Sequence, residues 1–148
     1  MSYAITLTSN SDIGNTTNFS NLLDGTMIVN KNSYIQVNSI YIKKASGATD
    51  PEGIFLTIPE FNSANTYWCN SKHNSVKNGM ICNCLSFESS DTIQNAISSP
   101  KIPLNNSLYQ LDNINVTLRD KDNKIIDNSI IEKVAISIFV SDDLRLFG

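Results

Sequence analysis

Two alternating segments near the end of the chain constrain its fold more than any other feature. Ile114, Val116 and Leu118 alternate with Asn115, Thr117 and Arg119, and Val134, Ile136, Ile138 and Val140 alternate with Ala135, Ser137 and Phe139. This is the two-residue period of strands that bury one face. Between them lies Asp120-Lys121-Asp122-Asn123-Lys124. Asp and Asn hydrogen-bond their own backbone and Asn tolerates positive φ, so the run predicts a tight turn leading into a short strand at Ile125 and Ile126.

A chain of 148 residues fits one domain, spanning 1–148, and can bury roughly two-thirds of its unfolded surface. Its 20 Asn, 19 Ser and 19 Ile favour turns and strands over helices. An A+T-rich genome produces the same bias, so the Asn abundance by itself carries no functional meaning.

The net charge is −3 and there are only two arginines, Arg119 and Arg145, so the basic stripe that phosphate neutralisation requires is missing and no nucleic-acid partner is expected. The sequence contains no run of 18 apolar residues, and MSYAITLTSNSD at the N-terminus has neither a basic start nor an apolar core. The expectation is a chain with no signal peptide and no membrane span, made in a cytoplasm-like compartment. Three cysteines are an odd number, for which reduced thiols are the simplest state.

Taken in order, Tyr3, Ile5 and Leu7 predict a first strand, and 9–18 is a polar turn cluster. Phe19 to Leu23 is read as a loop anchored by its Phe and Leu side chains, with Asp24-Gly25 turning into a strand at 26–29. In the long strand Tyr34 to Lys43, Ile35 and Val37 are odd-numbered whereas Ile40 and Ile42 are even-numbered. That change of phase predicts a β-bulge or bend at Asn38 and Ser39, unless both faces are buried. Lys44 to Gly53 is a loop, and Ile54 to Ile58 is a strand ended by Pro59. Glu60 to Asn78 is a long polar loop with a short strand at Tyr67-Trp68-Cys69. Met80 to Glu88 is read as a strand with Ile81, Leu85 and Phe87 on one face and Met80, Cys82 and Cys84 on the other, both faces at least half buried. Thr92 to Ser98 is read as one helical turn, Pro100 and Pro103 keep their neighbours extended, and 141–148 forms a tail able to dock on a neighbour. The fold class is therefore all-β, an eight- or nine-stranded antiparallel β-sandwich with Greek-key or jelly-roll connections.

All three cysteines and the only histidine, Cys69, His73, Cys82 and Cys84, fall within 16 residues. Thiolate and imidazole are zinc ligands, but the one-residue gap Cys82-Asn83-Cys84 places both thiols on one face of a strand, as small buried hydrophobes would be. No metal is assigned. His73 stands in the polar run NSKHNS, a poor setting for a catalytic base. Asp120 and Asp122 are interrupted by lysines and lack the EF-hand pattern, leaving a charged turn. No phosphate-binding glycine motif occurs. No catalytic, cofactor-binding or metal residue is named, and no enzyme is expected.

Phe19-Ser20-Asn21, then Asn32-Ser33-Tyr34-Ile35-Gln36-Val37-Asn38-Ser39-Ile40, then Ile114 to Asn123 followed by Val134 to Ile138, resemble small jelly-roll virion proteins, the penton and minor capsid proteins of large DNA viruses, virophages and polinton-like elements. The similarity covers the two ends of the chain and leaves Glu60 to Asn106 unmatched. Asn123 stands where that family often has glycine. The resemblance implies a single jelly roll located in the virion, with the chain itself, as pentamer or trimer, and other capsid proteins as partners. The alternative is a trimeric receptor- or glycan-binding head of the fibre-knob kind, with Tyr67 and Trp68 as an aromatic platform.

Overall fold

β3, Ser33–Lys44, shows how this sequence makes its sheet. Its partner β10, Ile131–Asp142, pairs Ser137 with Ser39 but Ile138 with Val37. Asn38 is thus the extra residue of a β-bulge, at the place where the apolar phase changes. The bulge lets Ile35, Val37, Ile40 and Ile42 all point into the core, where none is more than 2% exposed. A second bulge lies between Ile131 and Lys133; it turns Glu132 outward while Ile131 and Val134 remain buried.

In this computed structural model, residues 2–9, 15–29, 33–61, 66–69, 75–82, 84–96, 101–104 and 109–142 are described. The other strands are β1 Ser2–Thr8, β2 Asn18–Val29, β4 Phe55–Thr57, β5 Trp68–Cys69, β6 Ser75–Val76, β7 Thr92–Ala96, β8 Ile102–Pro103 and β9 Tyr109–Arg119. One sheet has the order β1-β10-β3-β7, with β8 also on the free side of β3, and the facing sheet has the order β2-β9-β4. Beyond β4, the segment 80–85 adds the antiparallel bridges Thr57 to Met80 and Ile54 to Leu85. With β7 and β8 taken as one interrupted strand and 80–85 as another, the sheets run first-eighth-third-sixth and second-seventh-fourth-fifth. This is jelly-roll connectivity, as the fold class predicts. Side chains of both sheets, from Leu7 through Val140, share one buried cluster.

Several local expectations are corrected. Phe19 to Leu23 belongs to the continuous strand β2 rather than to a loop, because Phe19 is buried and the backbone from Asn18 to Leu22 pairs with β9. The Asp24-Gly25 turn survives only as a break in that pairing between Leu22 and Met27. Thr92 to Ala96 is a strand on the open edge of β3, not a helical turn; the ladder supplies partners that a single helical turn cannot. Residues 97 and 98 lie outside the described residues. Met80 to Glu88 is not a strand beyond its two bridges; Ile81 and Cys82 are buried side by side, as burial of both faces of the segment requires. The expected strand at Ile125 and Ile126 is a single bridge from Ile125 to Arg119. The turn before it forms as expected, with Asn123 at φ +62° and Asp120 Oδ1 accepting from the Asp122 and Lys124 backbone N–H groups. Of the tail, residues 143–148 lie outside the described residues.

Candidate functional site

The cysteines do not behave as a set. Cys82 is buried against the core, whereas Cys69 and Cys84 are exposed, so the expectation that Cys82 and Cys84 share a face fails with the strand that was to carry them. Burial pushes the Cys82 thiol up to about 11, making it a small apolar filler. His73 lies outside the described residues, and among those described no group of three or more potential metal ligands converges.

Trp68 is tied into the fold. Its indole Nε1 donates to the Lys121 carbonyl at 2.9 Å. Asn78 Nδ2 donates to Asn123 Oδ1 at 2.8 Å, and Lys121 pairs with Glu52 at 2.5 Å. The β5–β6 hairpin is thus fastened to the turn containing Asp120 and Asp122. Tyr67 is 51% exposed, with Lys77 Nζ 5.3 Å from its ring centroid. The aromatic pair is therefore an anchor and a cation-covered ring, not an open platform of two rings.

A cleft of about 610 Å³ opens between the end of β3 and the start of β10, lined by Lys43, Lys44, Ser46, Asp91, Asn128 and Glu132 among others. Its charges neutralise one another. Lys43 meets Glu132 at 3.1 Å, and Lys44 is hydrogen-bonded to Asp50 with Asp91 at 3.8 Å. These bonds hold both ammonium groups above the usual lysine range, through Glu132 for Lys43 and Asp50 for Lys44.

The outward faces of the two sheets are the surfaces with the most unusual chemistry. On the β1-β10-β3-β7 sheet, Ala4, Phe139 and Gln36 form one outward row and Thr6, Ser137 and Ser39 the next. A third row holds Thr8, Ala135, Tyr41 and Gln94. None of these carries a charge, although about a quarter to a third of an ordinary protein surface is charged. Tyr34 packs beside Phe139, ring centroids 6.5 Å apart, and Lys101 caps Tyr34 at 4.7 Å. On the opposite side of the sandwich, Leu22 is 84% and Ile28 42% exposed. Both point away from the core because Phe19, Met27 and Val29 on the same strand are buried. Next to Leu22, Ser20 bonds Asn115, whose backbone N–H donates to Glu60 Oε1 at 2.9 Å. The alternation in sequence carries the signal for these rows, since the outward residues Tyr34, Gln36, Ser39 and Tyr41 of β3 and Ala135, Ser137 and Phe139 of β10 are uncharged, with Lys43 and Lys133 forming the next row. Leu22 gives no such signal, because in sequence it pairs with Leu23 as a buried residue would.

Set against known proteins, the chain matches no family model and no curated sequence. Among the described residues no helix is long and apolar enough to cross a membrane.

Proposed function

We propose that this chain is a structural virion protein, a penton or minor capsid subunit that assembles through the edges, loops and faces of its jelly roll. The observation that carries the reading is the strand order, which runs as a jelly roll when β7 and β8 are taken together and the bridged segment beside β4 is counted as a strand. The resemblance of the chain's two ends to small virion proteins supplies the family. The sheet surfaces support assembly as well: three uncharged outer rows with aromatic residues on one side, bordered by Lys101, Lys43 and Lys133, and exposed aliphatic residues on the other are poor in charge, as interface centres are.

Two measurements test it. Light scattering after size exclusion is expected to show a closed oligomer, five chains for a penton, and an antibody to the chain is expected to label purified virus particles. Particles free of the chain overturn the reading. A native trimer that captures glycans replaces it with the head-domain alternative.

A further inference from the structure

We propose that Asn78 is a site of spontaneous deamidation that the fold holds in check, and that its conversion unties the β5–β6 hairpin from the turn at 120–124. The inference stands apart from the assembly reading, since it needs no partner.

Chemistry singles out this position. Of the 20 asparagines, only Asn78 is followed by glycine. In such a pair the Gly79 nitrogen gives its proton to water or hydroxide and attacks Cγ of the Asn78 side chain. The N–Cγ bond forms, the Cγ–Nδ2 bond breaks, and ammonia leaves a five-membered succinimide. One water then opens the ring, giving aspartate when the new bond is cleaved and isoaspartate when the original main-chain bond is cleaved. Glycine favours the attack because no side chain crowds its nitrogen and its backbone turns freely.

Two contacts on the carboxamide act in opposite directions. The Met80 N–H donates to Asn78 Oδ1 at 3.2 Å, where it stabilises the negative charge that develops on that oxygen during attack. Asn78 Nδ2 donates to Asn123 Oδ1 at 2.8 Å, which holds the departing nitrogen and fixes the plane of the group. The backbone is pinned as well. The Ile58 N–H donates to the Gly79 carbonyl at 2.9 Å and the Ile81 N–H to the Leu56 carbonyl at 3.1 Å, and Gly79 is buried. Ring closure brings the Gly79 nitrogen to bonding distance of Cγ and swings Nδ2 out of the carboxamide plane, and both moves work against these bonds. Conversion therefore proceeds from a local opening in which the contact with Asn123 is broken, and its rate follows the population of that opening.

The products account for the untying. Aspartate puts an oxygen where Nδ2 donated, so Asn123 Oδ1 faces an acceptor instead of a donor. Isoaspartate adds one carbon to the main chain just before Gly79, where not even a Cβ fits against the Ile58 carbonyl. Either product leaves the bond from Trp68 to Lys121 to hold the hairpin.

The test incubates the folded whole chain at mildly alkaline pH and follows the peptide containing Asn78, by mass spectrometry after digestion, for the change of amide to acid. Asn123→Gly removes the acceptor and suits the positive φ of position 123. It is expected to speed conversion about fivefold, the effect of one lost hydrogen bond on the opening. Asn123→Asp keeps an acceptor and should convert no faster than wild type. Trp68→Phe loosens the hairpin without touching the pair and should also speed conversion. The chain unfolded in urea sets the fastest rate, and Asn38, followed by serine in β3, should stay unconverted in every folded sample. Native chain converting as fast as unfolded chain, Asn123→Gly converting at the wild-type rate, or another asparagine converting before Asn78 in urea overturns the inference. Conversion of Asn38 in step with Asn78 shows global unfolding instead of a local clamp and overturns it too. Hydrogen exchange at 66–79 and 120–124 should quicken in the converted protein, and unchanged exchange there overturns the untying.

Discussion

Gly79 lies directly against Ile58: a Cβ at position 79 would sit 2.0 Å from the Ile58 carbonyl oxygen. Its own carbonyl accepts from the Ile58 N–H at 2.9 Å, so this close approach closes the bridge that holds the returning segment on β4. At φ +74° the backbone also disfavours any side chain. Gly79→Ala is expected to lose about 3 kcal/mol or more, from ~1–2 kcal/mol of left-handed strain plus overpacking against backbone that cannot retreat. Gly47→Ala is the control, because Gly47 has φ +76° and nothing within 4 Å of an added Cβ. It should lose only the strain, about 1–2 kcal/mol. Equal midpoints for the two variants in urea denaturation would remove the steric account.

Asn128 fastens the chain before β2 to the connection between β9 and β10. Its Oδ1 accepts from the Thr17 N–H at 3.1 Å and the Thr17 hydroxyl at 2.7 Å, and Thr17 is 1% exposed. Asn128→Ala leaves two buried donors without an acceptor and is expected to cost about 2–3 kcal/mol. Asn128→Asp keeps the acceptor and should recover most of that loss at pH 7. Urea midpoints for the pair decide it, and equal losses would show that the acceptor is not what matters.

Cys82 makes stability fall with alkaline pH. Burial raises its folded value to about 11 from an ordinary 9.0. Between those two values the unfolded chain has released the thiol proton while the folded chain still holds it. The unfolded state then binds fewer protons, so unfolding becomes easier as pH rises. The loss is about 2–3 kcal/mol between pH 9 and 11. Cys82→Ala removes this component while leaving the lysine titrations in place, so its stability should fall less over the same range. In the native protein at pH 8, an alkylating reagent should modify Cys69 and Cys84 before Cys82, and mass spectrometry of the digested protein reads the order.

Trp68 acts as a fastener in this fold. Trp68→Phe keeps a ring but loses the hydrogen bond to Lys121, an expected cost of about 0.5–1.5 kcal/mol. Trp68→Ala should go further and release the β5–β6 hairpin while the sandwich stays cooperative. Hydrogen exchange by mass spectrometry would show faster exchange confined to residues 66–79 and 120–124. An unchanged exchange pattern would mean that the ring is not an anchor.

Much of the sandwich is legible in the chain because a strand with one wet face writes its period into the sequence. The bulge at Asn38 follows for the same reason: when one face of the strand is wet, four isoleucine and valine side chains reach one core, across their odd and even numbers, through one extra residue. Positive φ at Asn123 follows equally locally, from the chemistry of Asx residues in a turn.

The alternating apolar residues by themselves determined an antiparallel sandwich, the strands β3 and β10 and the bulged register between them, because burial of one face is a local, periodic requirement. Tertiary structure alone decided that Phe19 to Leu23 and Thr92 to Ala96 are strands, because each is held by a backbone ladder to a segment distant in sequence, and such pairing requires no apolar period. It also decided that Cys82 is buried while Cys84 is exposed. Burial in a segment held only by isolated bridges is set by what packs on it, here β4 and the core, and no spacing in the sequence records that.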